Sequence, residues 1–230
     1  MKRSEINQII RDAEHFVAAQ QFHLPPFARW TPDDWKSKGS EIREITANSL
    51  GWDVTDFGLN DFAHKGVLLF TIRNGTLSEL ARGTGKVYCE KILVCQPHQL
   101  VLHHFHKSKT EDIINRGGGQ LELTLYNAAA DDTLAGTPVV VQVDGLTRTL
   151  EAGGVLLLGP GESVTLRPRQ YHQVTARGGP VLAGEVSSVN DDHADNAFLE
   201  ALGRFPVIEE DEAPYRLLVG DYQQDWSEAR

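Results

Sequence analysis

LVLHHFHKSKTEDIINRGGG, Leu100 to Gly119, packs three histidines into four positions of an apolar run, with a glutamate five residues beyond the last. Side chains alternate faces along a strand. His104 and His106 therefore share one face, and His103 and Phe105 share the other. Two imidazoles at i and i+2 converge on one point, and a loop or bulge through KSKT brings Glu111 back as an oxygen donor. Much later, PRQYHQV offers His172 at the start of another β-rich run. His104, His106, Glu111 and His172 make a set of three imidazoles and one carboxylate. Mixed nitrogen and oxygen donors without thiolate suit manganese, iron, cobalt, nickel or zinc, and leave positions open on the ion. A closed structural zinc site is disfavoured, because neither cysteine is needed. His103 faces away and is read as structural.

Outward from this strand the texture is β-rich. GVLLFTIRNG and KVYCEKILVCQ precede it; QLELTLYNA, VVVQVDG, TRTLEAGGVLLLGPG, ESVTLRPRQYHQV and VLAGEVSSV follow. Gly, Asn and Pro punctuate them. Many short strands with tight turns predict a sandwich or barrel, not βαβ units. The glycines of INRGGG fit no phosphate-loop pattern and are read as a tight turn with close backbone approach, with Arg116 left as a possible phosphate contact. Helix is expected first in the chain, with Ser4 as N-cap and Ile6, Ile9, Ile10, Ala13, Phe16 and Val17 as one apolar stripe. Thr31-Pro32-Asp33-Asp34 starts a second, short helix. A short helix and an extended tail are expected near the C-terminus. The division expected is a helical extension over residues 1–50 packed on one body over 51–230.

The chain has 230 residues, 40% of them apolar, and a formal net charge of -10. That length and composition support a substantial core. The charge disfavours nucleic acid and anionic membrane surfaces as partners. Cys89 and Cys95 are the two cysteines; their spacing is not CxxC and they are read as free and reduced. No apolar run is long enough to span a bilayer, and MKRSEINQIIRDAEHF does not read as an export signal. A cytoplasmic location is the expectation.

HFHKSKTE resembles the first motif of the cupin superfamily, and GPGESVTLRPRQYHQV resembles the second more loosely. The resemblance implies an all-β fold: a cupin-type double-sheet β-barrel, here with N-terminal and C-terminal helical decorations. LFTIRNG, EDIINRGGG, GEVSSVNDD and GRFPVIEEDEAPYRLL together narrow the likeness to the D-lyxose ketol-isomerase family. That resemblance implies an aldose–ketose isomerase acting on D-lyxose and D-xylulose, with D-mannose and D-fructose as secondary substrates. It also implies one divalent metal per subunit, Mn2+ first and Zn2+, Co2+ or Fe2+ as alternatives, a small sugar as partner, and a homodimer. A metal-dependent dioxygenase and a non-catalytic sugar-binding protein stay open, since the same ligands serve both.

Moving a proton between C1 and C2 of a sugar needs a base at carbon and an electrophile at oxygen. Glu185, an acid in a mild strand, is the candidate base. Lys109, between His106 and Glu111, is the candidate partner for a substrate oxygen. Asp191 and Arg204 are candidates for binding sugar hydroxyls, with Asp192 beside Asp191. Trp52 and Phe62 offer an apolar face to sugar C–H groups or, equally, core packing.

Overall fold

A computed structural model of the chain describes residues 1–192, 194–203 and 205–222. Its helices are α1 (Arg3–Ala19), α2 (Pro32–Lys36), α3 (Arg43–Ala47) and α4 (Leu77–Arg82). The strands are β1 (Gly51–Thr55), β2 (Val67–Arg73), β3 (Tyr88–Cys95), β4 (Val101–His106), β5 (Glu111–Ala128), β6 (Leu134–Ala135), β7 (Val139–Val143), β8 (Leu146–Leu150), β9 (Gly154–Leu158), β10 (Ser163–Leu166), β11 (Gln170–Ser188) and β12 (Asn196–Phe198).

The expectation of an all-β, cupin-type double-sheet barrel is corrected. The strands join one continuous twelve-stranded sheet whose path runs open from β1 to β8, in the order β1-β2-β3-β11-β5-β10-β7-β8. With the 17-residue α1 packed on it, the fold is mixed α/β. The reason lies in β5 and β11. Each runs, at 18 and 19 residues, through glycines that the sequence suggests are turns. INRGGG thus lies inside β5, where it bends the strand without ending it.

β5 and β11 pair antiparallel from Gln170↔Asn127 to Ser187↔Glu111 and form the spine of the sheet. One half of β11 also pairs with β4, the other with β3. The close approach expected at the glycines is present. Gly118 has φ +98°, and a Cβ there would run into the Pro180 carbonyl. The register slips at Arg177/Val181 and again at Leu182/Ala183. These slips change which side chains face inward: His172, Val174 and Ala176 before them, Val181, Ala183 and Glu185 after. A straight strand would put His172 and Glu185 on opposite faces.

β1, β2 and β3 are covered on both sides, which explains the unbroken apolar run Val67-Leu68-Leu69-Phe70. Val67 and Leu69 pack inward with Leu121, Leu123, Leu125 and Val174. Leu68 and Phe70 pack outward with Trp52, Ile92 and the α1 stripe of Ile6, Ile10, Ala13 and Val17. Each such side chain, fully buried, stabilises by roughly 1.5–3 kcal/mol. Trp52 belongs to this outer core, its Nε1–H donating to Ala28 O at 2.8 Å.

α2 begins as read, with Thr31 and Asp34 forming a reciprocal capping box. Two local expectations are corrected. Lys2, not Ser4, precedes α1; Ser4 instead binds Asp211 through its backbone N–H (2.9 Å) and hydroxyl (2.6 Å). The segment after Asp195 forms the short strand β12 on the edge of β4 and not a helix. That edge offers unpaired ladder groups, and Asn196↔His106 to Phe198↔His104 takes them up.

Candidate metal centre and its cavity

His104, His106 and His172 gather their ring nitrogens within 4.8 Å of one another. β4 supplies the first two, and His172 stands directly across from His104 in the ladder. Glu111 opens β5 at the far end of the spine from His172. Because the sheet folds over at its glycine bend, Glu111 Oε1 nevertheless lies 3.2 Å from His172 Nε2, and Oε2 lies 3.3 Å from His106 Nε2. The four residues named from the sequence are therefore neighbours in one buried cluster. His103 points away, its ring against Tyr126.

The protonation states follow from the surroundings. His104 Nδ1 lies 2.8 Å from Leu102 O, and His172 Nδ1 lies 3.1 Å from Gln170 O. A nitrogen facing a carbonyl must carry the hydrogen, so each Nε2 presents a lone pair inward. Burial, reinforced by the neighbouring imidazoles, holds His104 well below the ordinary histidine range. Burial likewise pushes His172 down to about 4. Both rings are neutral at physiological pH. His106 moves the other way: burial opposes its charge, but the Glu111 and Asp195 carboxylates together outweigh that and raise its pKa. Burial disfavours the charge of Glu111, yet His106 and Lys109 hold its carboxyl well below the usual range.

This donor set fits a divalent cation. The lone pair of His172 faces the carboxylate oxygen Glu111 Oε1, which accepts no hydrogen bond among the described residues. Two acceptors facing each other call for positive charge between them. The wider cluster holds four carboxylates, Glu111, Glu185, Asp192 and Asp195, against two ammonium groups, Lys91 and Lys109.

Lys109 sits in the β4–β5 connection and is 2% exposed. Its Nζ lies 2.8 Å from Glu111 Oε2, 2.8 Å from Glu185 Oε1 and 3.2 Å from Asn190 Oδ1. Burial works against its charge, and the two carboxylates overcome it, so its pKa is raised. Glu185 stands across the ladder from Lys91, whose Nζ is 3.6 Å from the same Oε1 and 3.5 Å from Asp192 Oδ1. Burial disfavours the Glu185 charge, but Lys109 and Lys91 lower its pKa below the usual value. Glu185 is a carboxylate at neutral pH.

These groups line a cavity whose apolar wall includes Phe57, Val67, Leu69, Val174 and Phe198. Trp52 and Phe62 are not among its lining; Phe57 and Phe198 supply the aromatic surface, 5.5 Å apart and edge to face. Asp192 lines the cavity. Asp191 lies beside it, accepts the Ala194 N–H at 3.2 Å and borders a neighbouring hollow. Arg204 lies outside the described residues.

Lys91, Asn190 and Asp195 belong to the site and escaped the sequence reading. Lys91 carried a signal: it shares its strand face with Cys89, Leu93 and Cys95, and a charge at such a position needs a buried partner. Asp195 accepts the Ser108 N–H (2.8 Å), the Ser108 hydroxyl (2.6 Å) and the Lys109 N–H (3.3 Å). It also lies 3.5 Å from His106 Nδ1, an electrostatic contact longer than a hydrogen bond. Its carboxyl, although burial resists the charge, is held well below the usual range by His106 and Ser108. Cys89 and Cys95 are free, with thiol pKa values pushed up to about 12 by burial.

The model of the D-lyxose isomerase family matches residues 1–222. The D-lyxose/D-mannose isomerase of Serratia proteamaculans is 48% identical over 225 residues, covering 96% of this chain and 98% of that protein. The protein of the same name from Escherichia coli O157:H7 is 44% identical over 229 residues, covering 97% and 99%. Among solved structures, Acinetobacter sp. DL28 L-ribose isomerase in complex with L-ribose superposes with a TM-score of 0.60 at 15% identity, covering 91% of this chain and 98% of that one. Cellulomonas parahominis L-ribose isomerase with L-psicose gives 0.59 at 17% identity over the same shares. At such identities the two structures speak for the fold alone.

Proposed function

The chain belongs to the D-lyxose isomerase family, and from that membership we propose that it interconverts D-lyxose with D-xylulose and, secondarily, D-mannose with D-fructose. The relatives matched along nearly the whole chain are isomerases, so the dioxygenase and binding-only readings are set aside. The observation that carries the chemistry is the Lys109–Glu185 pair, 2.8 Å apart on the wall of a cavity that also holds three inward-facing imidazoles.

His104, His106, His172 and Glu111 would hold the ion. When bound, a divalent cation would supply Lewis-acid charge to the reacting sugar. The remaining work falls to the chain. Glu185 takes the C2 proton of the open-chain aldose, and the electron pair moves into a C1–C2 double bond as O1 gains negative charge. The positive charge of the Lys109 ammonium stabilises that developing charge in a site screened from water. The hydroxyl proton passes from O2 to O1, and Glu185 returns its proton to C1. Phe57 and Phe198 offer apolar surface to the sugar C–H groups.

The reading extends to manganese as the resident ion, supported by a donor set of imidazole and carboxylate without thiolate. A cytoplasmic homodimer completes it; the outward Val155 and Leu157 on β9, 48% and 42% exposed, support self-association. The test is turnover by chelator-treated enzyme refilled with single metals. D-Xylulose from D-lyxose and D-fructose from D-mannose, highest with manganese, are expected. No ketose from either sugar with any ion would overturn the assignment.

A further inference from the structure

Two stretches, LFTIRNG and GEVSSVNDD, meet in the fold. Asn74, at the end of the first, is 6% exposed and lies at the corner between β2 and α4. Its side-chain amide clamps one peptide unit of the second. Nδ2–H donates to Asn190 O at 3.0 Å, and Oδ1 accepts the Asn190 N–H at 3.0 Å. Only one orientation of the Asn74 amide satisfies both bonds, so the clamp fixes its own geometry. The clamp is itself held: Asn48 Nδ2–H donates to Asn74 O at 2.9 Å. Gly75 packs its α-carbon so closely on the Lys86 carbonyl that any side chain there would collide.

The clamped residue reaches the reacting groups. Asn190 Oδ1 accepts one N–H of Lys109 at 3.2 Å, Glu185 Oε1 accepts another at 2.8 Å, and Glu111 Oε2 is its ion-pair partner at 2.8 Å. An ammonium on a four-carbon stem has three rotatable donors and no directional preference of its own. Its two carboxylate partners leave it free to turn about the line joining them. The third acceptor removes that freedom.

We infer that Asn74 and Asn190 are positioning residues for the isomerisation: Asn74 fixes the Asn190 peptide, and the Asn190 amide fixes the direction in which Lys109 presents its ammonium. The inference rests on the role given to Lys109 above. It assigns to Asn74 a function that burial alone does not, because a residue serving only the fold would act on stability and independently of Asn190.

The experiment is steady-state kinetics of the metal-loaded enzyme with D-lyxose, with bound metal and thermal stability measured on each sample. The variants are Lys109→Met, Asn190→Leu, Asn74→Ala and the Asn74→Ala/Asn190→Leu pair. Asn190→Ala gives the same comparison without added bulk. Asn190→Leu is expected to lower kcat about 10–100-fold, the range for residues that orient a functional group from behind it. KM and metal content stay near wild type, and Asn190→Asp, which keeps the acceptor, recovers most of the loss. Asn74→Ala lowers kcat by about ten-fold alone. Combined with Asn190→Leu it removes nothing further, because both act through one contact. Losses that multiply in the pair would overturn the inference, as would wild-type kcat in Asn190→Leu beside an inactive Lys109→Met. Wild-type kcat in Lys109→Met would remove the role of Lys109, and the inference with it.

Discussion

Replacing Lys109 by methionine keeps an unbranched four-atom stem and deletes the ammonium with its charge. The ammonium lies 2.8 Å from carboxylate oxygens of both Glu111 and Glu185, and all three side chains are buried. Removing one member of such a buried network typically costs about 3–5 kcal/mol, most of it from the charge left unpaired. Glu185 keeps Lys91 at 3.6 Å and Glu111 keeps His106 at 3.3 Å, so we expect the lower end, about 3 kcal/mol, for metal-free protein at pH 8. The pH dependence follows from the direction of each shift. In the wild type both carboxyl pKa values are lowered. They stabilise the fold above the unfolded carboxyl value, and that contribution is lost as pH falls through the folded values. In Lys109→Met the missing cation raises at least one of them. Its penalty is then present above the raised value and relieved below it, as a proton replaces the lysine. Urea unfolding of both proteins in chelator, at pH 8 and again near pH 5, measures the difference directly. A gap that narrows on acidification is expected. A gap of equal size at both pH values would show that Lys109 acts by packing and refute the electrostatic reasoning.

The neighbouring carboxylates raise the pKa of His106, so metal binding near neutral pH should be accompanied by proton release from that ring. Calorimetry in buffers of different ionisation enthalpy should show a buffer-dependent heat, and a heat independent of buffer would contradict this. Gly118→Ala places a side chain at φ +98° against the Pro180 carbonyl; we expect a loss of more than about 1–3 kcal/mol of stability, measured by denaturant unfolding. Leu123→Ala, at a wholly buried position of the inner core, should cost about 2–5 kcal/mol without altering bound metal in the folded fraction. Arg3 is 2% exposed and pairs with Glu210 at 2.6 Å and Asp221 at 2.8 Å. Arg3→Ala should lower the melting temperature through a loss of about 1.5–3 kcal/mol, the worth of hydrogen bonds to charged groups, since Glu210 is exposed and regains water, with the kcat of folded enzyme unchanged.

The pairing of His104 and His106 in one cluster was legible because its signal is local. His104 and His106 sit at the spacing that shares a strand face, and three imidazoles with a nearby acid are hard to explain as surface. β2, β3, β4, β7 and the second half of β5 were legible from apolar runs between turn residues, while β6 was not, and β8 and β10 were read as continuous with β9 and β11. What the sequence hid is long-range. INRGGG has turn composition but bends a continuous strand, because antiparallel pairing with β11 persists on both sides of it. That one feature turns an expected double-sheet barrel into a single open sheet. The slips at Arg177/Val181 and Leu182/Ala183 leave no clear mark in composition, yet they decide that His172 and Glu185 face the same interior. Where a short helix is expected near the C-terminus, Asn196–Phe198 is strand, because the free edge of β4 captures it. Lys91, Asn190 and Asp195 come from strands and loops remote in sequence, and only the register brings them to Glu185, Lys109 and His106.

The reaction is tested most directly by following the substrate hydrogen in deuterated water, with D-lyxose, saturating metal, and wild-type and Glu185→Gln enzymes of equal metal content. Proton NMR should show D-xylulose carrying solvent deuterium at C1 from the wild type, and a rate about 10²–10⁴-fold lower from Glu185→Gln. D-Xylulose formed at the wild-type rate by Glu185→Gln would contradict the assignment of Glu185 as the group that carries the proton between the two carbons.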